Sequence, residues 1–418
     1  MTAALIDPDR LWRRLMALAE IGATPAGGVD RQALSEGEIA ALARIVAWAR
    51  EAGLAPALDA AGNLFLTRPG RDPAAAPILL GSHIDTQPTG GRFDGAAGVL
   101  AALEAVASFD GLPPGDLAVV AWMNEEGSRF APGMMGSEAF AGLRDLAAIR
   151  AVRDAGGISV GHALDRLHAA FPDLPRRPLG TPVAAYLELH IEQGPVLEAA
   201  GRVIGIVTGI QGKKTFRVRL EGREGHAGTL PMDRRRDAVA AFARLAGALH
   251  AEVGGLDPDV RFTIGRVAVA PNAPSVVPAE VTFSIDLRHP DNAVLEAAGR
   301  RIAALCAGHA APCGVSLTPL VDAASNTFDP RLRALIARAA AAHGHPAMPV
   351  LSAAGHDARN LSRVCPSAMI FIPCRDGASH VETEWAEPAH VAAGAGVLAQ
   401  VLHDLAAAPD LLATPEPR

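Results

Sequence analysis

Four short apolar stretches of this sequence each end directly at a group of polar side chains. The stretches cover residues 78–81, 117–123, 184–189 and 368–373, and their length and composition predict buried strands. The polar groups that follow them are His83, Asp85 and Asp94; Asn124, Glu125 and Glu126; His190 and Gln193; and Asp376 and His380. Ligands of open α/β sheets bind beyond the carboxyl ends of the strands, so we expect the four groups to converge in one cleft.

Helical and strand patterns alternate along most of the chain, which predicts an α/β fold. Residues 35–52 have helical periodicity, and Ala-rich helical stretches then separate the short apolar strands. Between residues 212 and 327 the order becomes strand, helix, strand, strand, helix, strand, which is ferredoxin-like. We therefore predict a first domain in two parts, 1–211 and 328–418, with a mixed central sheet flanked by helices, and an inserted α+β domain, 212–327.

Composition and charge exclude several classes of partner. The 418 residues carry a net charge of −7, and the only lysines are Lys213 and Lys214, so a nucleic-acid-binding surface is not expected. No apolar run reaches membrane-spanning length, and the first residues lack the apolar core of an export signal. The four cysteines show no CxxC spacing and are too few for a disulfide scaffold. We expect reduced thiols, a cytoplasmic location and no membrane partner.

The polar groups contain the side chains that bind divalent metal ions. Imidazole and carboxylate together suit metals of the zinc and manganese kind, and one carboxylate can bridge two ions. Five side chains are available as ligands at the predicted strand ends: His83, Asp94, Glu126, His190 and His380. Five ligands with a shared aspartate would serve two ions about 3.5–4 Å apart, with room for a bridging water.

A simpler interpretation of each group stays open when it is considered alone. His83, Asp85 and Asp94 could be polar residues of an ordinary loop, and Glu125 with Glu126 could form a solvated acidic turn. Each histidine alone is more typical of an exposed or structurally paired residue. The repeated position after an apolar strand favours the functional interpretation.

Six motifs in the same order resemble those of the M20-type hydantoinase/carbamoylase family of amidases. They are GSHIDTQPTGGRFDG, NEEGSRFAPGMMGS, ELHIEQGP, GREGHAGTLPMDRRRDA, SAAGHDAR and GASHVETE. The similarity extends from residues 27–31 to beyond His380. Members of this family are binuclear metal hydrolases, so the resemblance implies a metallopeptidase-like catalytic domain and an inserted domain that serves for dimerisation and as a lid.

The resemblance also implies how the five ligands are divided between two ions. Asp94 would bridge them, with His83 and His190 completing one site, and Glu126 and His380 completing the other. Two divalent ions per subunit are expected, zinc or manganese first and cobalt or nickel as alternatives, because availability decides between them.

Three further residues receive catalytic roles by the same resemblance. Asp85 would orient the imidazole of His83 from behind. Glu125 would be the general base that takes a proton from water and returns it to the leaving nitrogen. His226, in a glycine-bordered turn, would reach the active site of the partner subunit and stabilise the oxyanion, although a turn-capping histidine is the simpler alternative.

The resemblance implies that five polar residues bind the substrate. Gln193 is suited to hydrogen-bond a ureido group through its carbonyl and amide. Asn272 and Arg288 would hold a substrate carboxylate, since the planar guanidinium can donate two hydrogen bonds to it. Gln211 and His356 resemble additional substrate contacts.

The expected activity is hydrolysis of the terminal ureido group of an N-carbamoyl-L-amino acid to the amino acid, ammonia and carbon dioxide. β-Ureidopropionate and allantoate offer the same ureido and carboxylate groups and remain rivals. A peptidase or deacylase on the same scaffold, and a non-catalytic binding protein, are the alternatives from other classes. A homodimer formed through the inserted domain is expected. The sequence departs from the common family pattern at Ala378 and Val381, which puts the pocket shape in doubt.

Overall fold

The computed structural model describes residues 6–408 and Leu411. The described chain divides into two compact units. The first contains the chain up to Gly209 and from Thr327 onward, and the second contains Ile210–Asn326. Among the described residues, no helix is both long and apolar enough to cross a membrane.

The described residues form twelve α-helices, numbered along the chain. They are α1 (Pro8–Ala19), α2 (Glu36–Glu51), α3 (Ala96–Ala107), α4 (Met135–Phe140), α5 (Leu146–Ala151), α6 (Val160–Ala170), α7 (Val196–Ala199), α8 (Ala238–Glu252), α9 (Asn292–His309), α10 (Pro330–Ala342), α11 (Ala358–Leu361) and α12 (Pro388–Ala407).

The same part of the chain forms sixteen strands. They are β1 (Ala55–Asp59), β2 (Leu64–Arg68), β3 (Ile78–His83), β4 (Leu117–Trp122), β5 (Arg176–Arg177), β6 (Ala185–Ile191), β7 (Ile204–Ile210), β8 (Gly212–Glu221), β9 (Gly225–His226), β10 (Arg261–Ala270), β11 (Val276–Val277), β12 (Glu280–His289), β13 (Gly314–Ala323), β14 (Asn326–Thr327), β15 (Ala347–Ser352) and β16 (Ser367–Ile372).

The first unit is built on one mixed sheet with the order β14-β7-β16-β6-β3-β4-β2-β1-β5, and β15 pairs with β7. Its central strands β16, β6, β3 and β4 are parallel to one another, whereas β7 and β2 run antiparallel beside them. Every residue of β4, β6 and β16 is buried, as expected for parallel strands covered on both faces. This confirms the predicted α/β fold with a mixed central sheet flanked by helices.

The four central strands are the four that the apolar stretches predicted, and none of their ends is shifted by more than two residues. Because they are parallel neighbours, their carboxyl ends lie along one edge of the sheet. The predicted polar groups therefore follow adjacent strands and not scattered ones.

The second unit has the element order that its sequence pattern predicted. Its four long strands form an antiparallel sheet in the order β10-β12-β8-β13, and α8 and α9 pack on one face of it. Burial alternates along β8 and β12, so one face carries the apolar core with the helices and the other carries polar residues. The short strands β9 and β11 pair separately.

Helix α3 connects the sheet to the predicted site, because it begins two residues after Asp94. Ala96 to Val106 are all buried, so the helix is apolar on every side. Gly98 lets its backbone approach β6 closely: a Cβ there would lie 2.2 Å from the carbonyl oxygen of Leu189. The position of Asp94 thus depends on close packing between α3 and the sheet.

We predict that Gly98→Ala destabilises the protein by about 1–3 kcal/mol, because a methyl group cannot fit without moving α3. Gly396, inside α12, is the matched control, since a Cβ there would meet no atom of the described residues within 4 Å. Gly396→Ala should be neutral or stabilise by up to about 1 kcal/mol. Denaturant unfolding followed by circular dichroism measures both, and equal effects of the two substitutions would contradict the packing argument.

Candidate metal centre

The carboxylate of Asp94 lies at the centre of the predicted site. Its Oδ1 is 3.5 Å from Nε2 of His83 and 3.1 Å from Nε2 of His190. Its Oδ2 is 3.2 Å from Nε2 of His380. Each oxygen of one carboxylate therefore faces a different set of imidazoles, which is the geometry that a bridging ligand requires.

Two groups of potential metal ligands share this aspartate. His83, Asp94 and His190 form a fully buried group, and Asp94, Glu126 and His380 form a more exposed one. Within each group, the ligand atoms lie within 4.8 Å of one another. The fold thus brings all five predicted ligands together, and their imidazole and carboxylate donors suit divalent ions of the zinc and manganese kind.

The tautomers of the two buried histidines are set by backbone carbonyls. Nδ1 of His83 lies 2.9 Å from the carbonyl oxygen of Asp85, and Nδ1 of His190 lies 2.8 Å from that of Ile191. A carbonyl can only accept, so each Nδ1 carries the proton and donates it. The lone pair is then on Nε2, the atom that faces Asp94, as a metal ligand needs.

Asp85 supports more of the site than its predicted role required. Its Oδ1 accepts the backbone N–H of Glu125 and its Oδ2 accepts that of Glu126, both at 3.1 Å. The contact of its carboxylate with Nδ1 of His83 is longer, at 3.4 Å. The backbone carbonyl of Asp85 thus makes the short contact with His83, while its carboxylate fixes the turn that carries the two glutamates.

Three turns around the site have left-handed backbone conformations at residues other than glycine. The φ angles are 55° at Asn124, 56° at Gln193 and 59° at His380. Asn124 and Gln193 come two residues after β4 and β6, and His380 comes eight residues after β16. The left-handed conformation redirects the chain at each of these positions. Such conformations are energetically unfavourable and concentrate at functional sites.

The acidic side chains of the site raise one another's pKa. Burial raises the pKa of Glu125 well above its ordinary value, and the charges of Asp357 and Glu126 raise it further. Burial and then the charge of Asp94 raise the pKa of Glu126 to about 7. Buried carboxylates that repel one another favour a bound cation, so the electrostatics of the site also fit a metal.

Glu125 is placed beside the buried ligand group and is not one of its members. Its Oε2 lies 3.6 Å from Nε2 of His83, and its side chain is 10% exposed. The carboxylate is therefore close enough to the centre to exchange a proton with a molecule bound there.

Gln193 contacts the centre directly. Its Nε2 donates to Oδ2 of Asp94 at 2.9 Å and to the hydroxyl of Ser379 at 3.1 Å. Within the described residues, its buried Oε1 has no hydrogen-bond donor. An amide with one paired end and one open acceptor can receive an N–H group of a ligand.

His356 lies against a predicted ligand. Its ring packs edge-on to that of His190, with 4.5 Å between ring centroids, and its Nε2 is 3.1 Å from the hydroxyl of Ser352. The ring is buried, and burial followed by the charge of His190 lowers its pKa well below the ordinary value. A neutral ring in this position supports His190, and its predicted contact with substrate stays a prediction.

The other predicted residues belong to the second unit. In its β9 turn, His226 accepts the N–H of Gly228 on Nδ1 at 3.0 Å, the arrangement of a turn-capping histidine. The guanidinium of Arg288 donates to Asp286 at 2.8 and 3.3 Å, and Lys213 contacts the same carboxylate at 3.3 Å. Arg288 therefore already holds one carboxylate within its own unit.

The register of the sheet separates the two residues predicted to share a substrate carboxylate. Asn272 follows Ala270, which pairs with Glu280 at the beginning of β12, whereas Arg288 is near the end of β12. From Glu280 to Arg288 the strand advances eight residues, roughly 26 Å. Asn272 and Arg288 of one subunit are thus too far apart to bind the same small carboxylate, and their predicted role in holding it stays a prediction.

The same register divides the substrate residues of the second unit into two pairs. Gln211 precedes Gly212, which pairs with His289, so it lies at the Arg288 end of the sheet. Asn272 lies at the other end. There β11 pairs with β9, and the N–H of Ala227 donates to the carbonyl of Ser275, so the His226 turn is held next to the 272–275 segment.

Two side chains inside the motifs contact the ligands, although no sequence pattern singled them out. Nε2 of Gln87 donates to Oε2 of Glu126 at 2.8 Å. Glu384 accepts the backbone N–H of Asp94 at 3.0 Å. The available signal was their position, since Gln87 follows His83 and Asp85 in one motif and Glu384 follows His380 in another.

The fold and the centre together define a candidate metal-dependent hydrolase with two ligand groups around one aspartate. The chain belongs to peptidase family M20/M25/M40, whose family pattern matches residues 79–404. This confirms the family resemblance stated from the motifs.

Known relatives cover almost the whole chain. It is 40% identical over 401 residues to N-carbamoyl-L-amino-acid amidohydrolase of Rhizobium meliloti, covering 94% of this chain and 95% of that protein. It is 34% identical to allantoate amidohydrolase of Bacillus subtilis, covering 93% and 95%. A crystal structure of an amidase of the hydantoinase/carbamoylase family from Burkholderia multivorans is 42% identical, with a TM-score of 0.84 and coverage of 96% and 98%.

We predict that metal binding becomes tighter as the pH rises from 6 to 8. The hydrogen bond with Asp94, and then the charge of Glu126, raise the pKa of His380 to about 9. At neutral pH this side chain therefore carries an additional proton and is a positively charged imidazolium in the metal-free protein. A metal must displace that proton, so the affinity of the His380 group should rise about tenfold per pH unit.

Calorimetric titration of the metal-free protein with Zn²⁺ in buffers of different ionisation enthalpy would count the released protons. His380→Asn should remove one proton from the count, whereas the exposed control His162→Asn should not change it. An unchanged count in His380→Asn would show that this imidazole is not a ligand.

Proposed function

We propose that the protein is a binuclear metal-dependent amidohydrolase that cleaves the terminal ureido group of an N-carbamoyl-L-amino acid. The products are the amino acid, ammonia and carbon dioxide. The observation that carries the proposal is the position of Asp94, with one oxygen toward His83 and His190 and the other toward His380. The named activity of the Rhizobium meliloti relative supports the choice of substrate.

Asp94 is proposed to hold two divalent ions per subunit. His83 and His190 hold one ion with it, and Glu126 and His380 hold the other. When bound, the ions supply Lewis acidity, which activates water and neutralises negative charge on the substrate carbonyl. Zinc or manganese is the first choice and cobalt or nickel the second, because this donor set accepts all four.

Glu125 is proposed to move the proton. Its Oε2 accepts a proton from the attacking water and returns it to the leaving nitrogen as the C–N bond breaks. The carboxylate suits this role because it is buried and close to other acidic groups, which makes it a stronger base than an exposed glutamate. Its backbone N–H, held by Asp85, keeps it beside the centre.

Substrate recognition is assigned to Gln193 in the first unit and to the four polar residues of the second. The open Oε1 of Gln193 accepts an N–H of the ureido group. Arg288 and Gln211, at one end of the second sheet, bind the substrate from one subunit, and His226 and Asn272, at the other end, act from the partner. The separation of roughly 26 Å supports this division.

A homodimer through the second unit is part of the proposal. Strand β10 is an edge of its sheet, and within the described residues only β12 pairs with it. It is ten residues long, and its Val267 is 46% exposed. A long exposed edge strand with apolar side chains is a surface on which another strand can pair. The cytoplasmic location stays a prediction from the sequence.

Allantoate is the second candidate substrate, because the similarity to an allantoate amidohydrolase covers 93% of the chain, against 94% for the N-carbamoyl-L-amino-acid amidohydrolase. Ammonia release from N-carbamoyl-L-amino acids, β-ureidopropionate and allantoate, measured after loading with each metal, decides between them. Cleavage of a dipeptide or an N-acyl amino acid without ammonia release would instead identify a peptidase or deacylase.

We predict that Glu125→Gln lowers kcat for ammonia release at least about 100-fold, because the proton acceptor is lost. Bound metal, measured by mass spectrometry after dialysis, should remain at the wild-type level. Glu20→Gln, at an exposed position, is the control and should retain activity. Loss of metal from Glu125→Gln would identify the residue as a ligand and remove it from the proton-transfer role.

We predict that inactive Glu125→Gln and inactive His226→Ala subunits regain activity when mixed. If His226 acts on the partner's site, each heterodimer has one site with both residues intact. Random reassortment then gives about one quarter of wild-type activity. Differently tagged subunits, purified in two steps, verify the heterodimer, and an inactive heterodimer would show that the two residues act within one subunit.

A further inference from the structure

Glu384 is a buried carboxylate that the proposed reaction does not use. It is 2% exposed and lies four residues after the predicted ligand His380. Buried carboxylates need hydrogen-bond donors, so the contacts of this side chain indicate what it holds in place.

The contacts of Glu384 join two segments that carry metal ligands. Its Oε1 accepts the backbone N–H of Phe93 at 2.9 Å and that of Asp94 at 3.0 Å. Its Oε2 lies 3.0 Å from the hydroxyl of Ser379, the residue before His380. That hydroxyl is also 3.2 Å from Oδ2 of Asp94. One carboxylate therefore links the backbone of the shared ligand to the His380 turn, although the segments are about 290 residues apart in the sequence.

The surrounding chain leaves enough space for the Glu384 carboxylate but little space for it to move. A Cβ at Gly91 would lie 2.0 Å from Cδ of Glu384, so only glycine leaves room there. Phe93 packs against both Trp12 and Trp385, with ring centroids 5.7 and 5.4 Å away. The backbone N–H groups that donate to Glu384 are thus held in place by aromatic packing.

We propose that Glu384 is a positioning residue that fixes the bridging carboxylate of Asp94 and the His380 turn for metal binding. This role deepens the proposed function and rests on its assignment of Asp94 and His380 as ligands. The His380 group depends on it most, because His380 is 46% exposed and lies on a turn, whereas His83 and His190 lie on buried strands.

The test is the affinity of the metal-free protein for Zn²⁺, measured by competition with a chromogenic chelator. Glu384→Ala should weaken the weaker of the two binding events about 10- to 100-fold, the range for loss of a group that orients a ligand. Glu384→Gln should remain within about threefold of wild type, because its amide oxygen can accept the same two N–H groups and its NH₂ can donate to Ser379.

Glu382→Gln is the matched control. Glu382 is an acidic residue of the same segment, but within the described part of the chain it accepts its hydrogen bond from Thr24 and not from a segment that carries a ligand. The Glu382→Gln variant should bind Zn²⁺ with wild-type affinity. Wild-type affinity in Glu384→Ala, or an equal loss in Glu382→Gln, would overturn the proposal.

Gly91→Ala tests the same contact with the carboxylate still present, so the proposal can be judged even if Glu384→Ala does not fold. Its added methyl group displaces the Glu384 side chain, and the Zn²⁺ affinity should fall as in Glu384→Ala. Wild-type affinity in this variant would contradict the proposal. Zn²⁺ affinity is measured without substrate, so it tests the role of Glu384 separately from the proposed function. A wild-type protein that binds Zn²⁺ but releases no ammonia would refute the proposed function. The role of Glu384 would then still be decided by the Zn²⁺ affinities of the variants.

Discussion

The carboxylate of Asp94 is buried among three imidazoles, and the surrounding structure determines which atom faces it from each direction. An ionised carboxylate in such a place is stable only if donors or cations surround it. His83, His190 and His380 provide that surrounding in the described chain. Burial opposes the ionisation of Asp94, but hydrogen bonds with these three imidazoles outweigh it and lower the pKa of Asp94 well below its ordinary value. Divalent metal ions would take the place of the imidazole protons that face this carboxylate, so the same arrangement of side chains suits both the metal-free and the metal-bound protein.

Groups that are not ligands set this geometry. Backbone carbonyls choose the tautomers of His83 and His190, and the carboxylates of Asp85 and Glu384 hold backbone amides of the segments that carry the other ligands. Hydrogen bonds to backbone fix position without competing for the metal-facing atoms. The site is therefore defined as much by where the chain turns as by which side chains it presents.

The sequence predicted the parts of the molecule that depend on local pattern. Apolar runs identified the four central strands, and the alternation of periodicities identified the element order of the second unit. It did not identify Glu384 or Gln87, because a single acid or amide in a polar segment gives no sign that it is buried against a residue far along the chain. It also did not show that Asn272 and Arg288 lie at opposite ends of the second sheet, since strand register depends on contacts that local pattern does not contain.

The register of the second sheet has a consequence for how a substrate can be held. Within one subunit, His226 and Asn272 lie at one end of ten-residue strands and Arg288 at the other. A small ureido acid is far shorter than the roughly 26 Å between those ends. The two sets of residues can then contribute to one site only if they come from two chains. In the proposed homodimer, pairing of two chains would complete the substrate site and would also cover the exposed β10 edge.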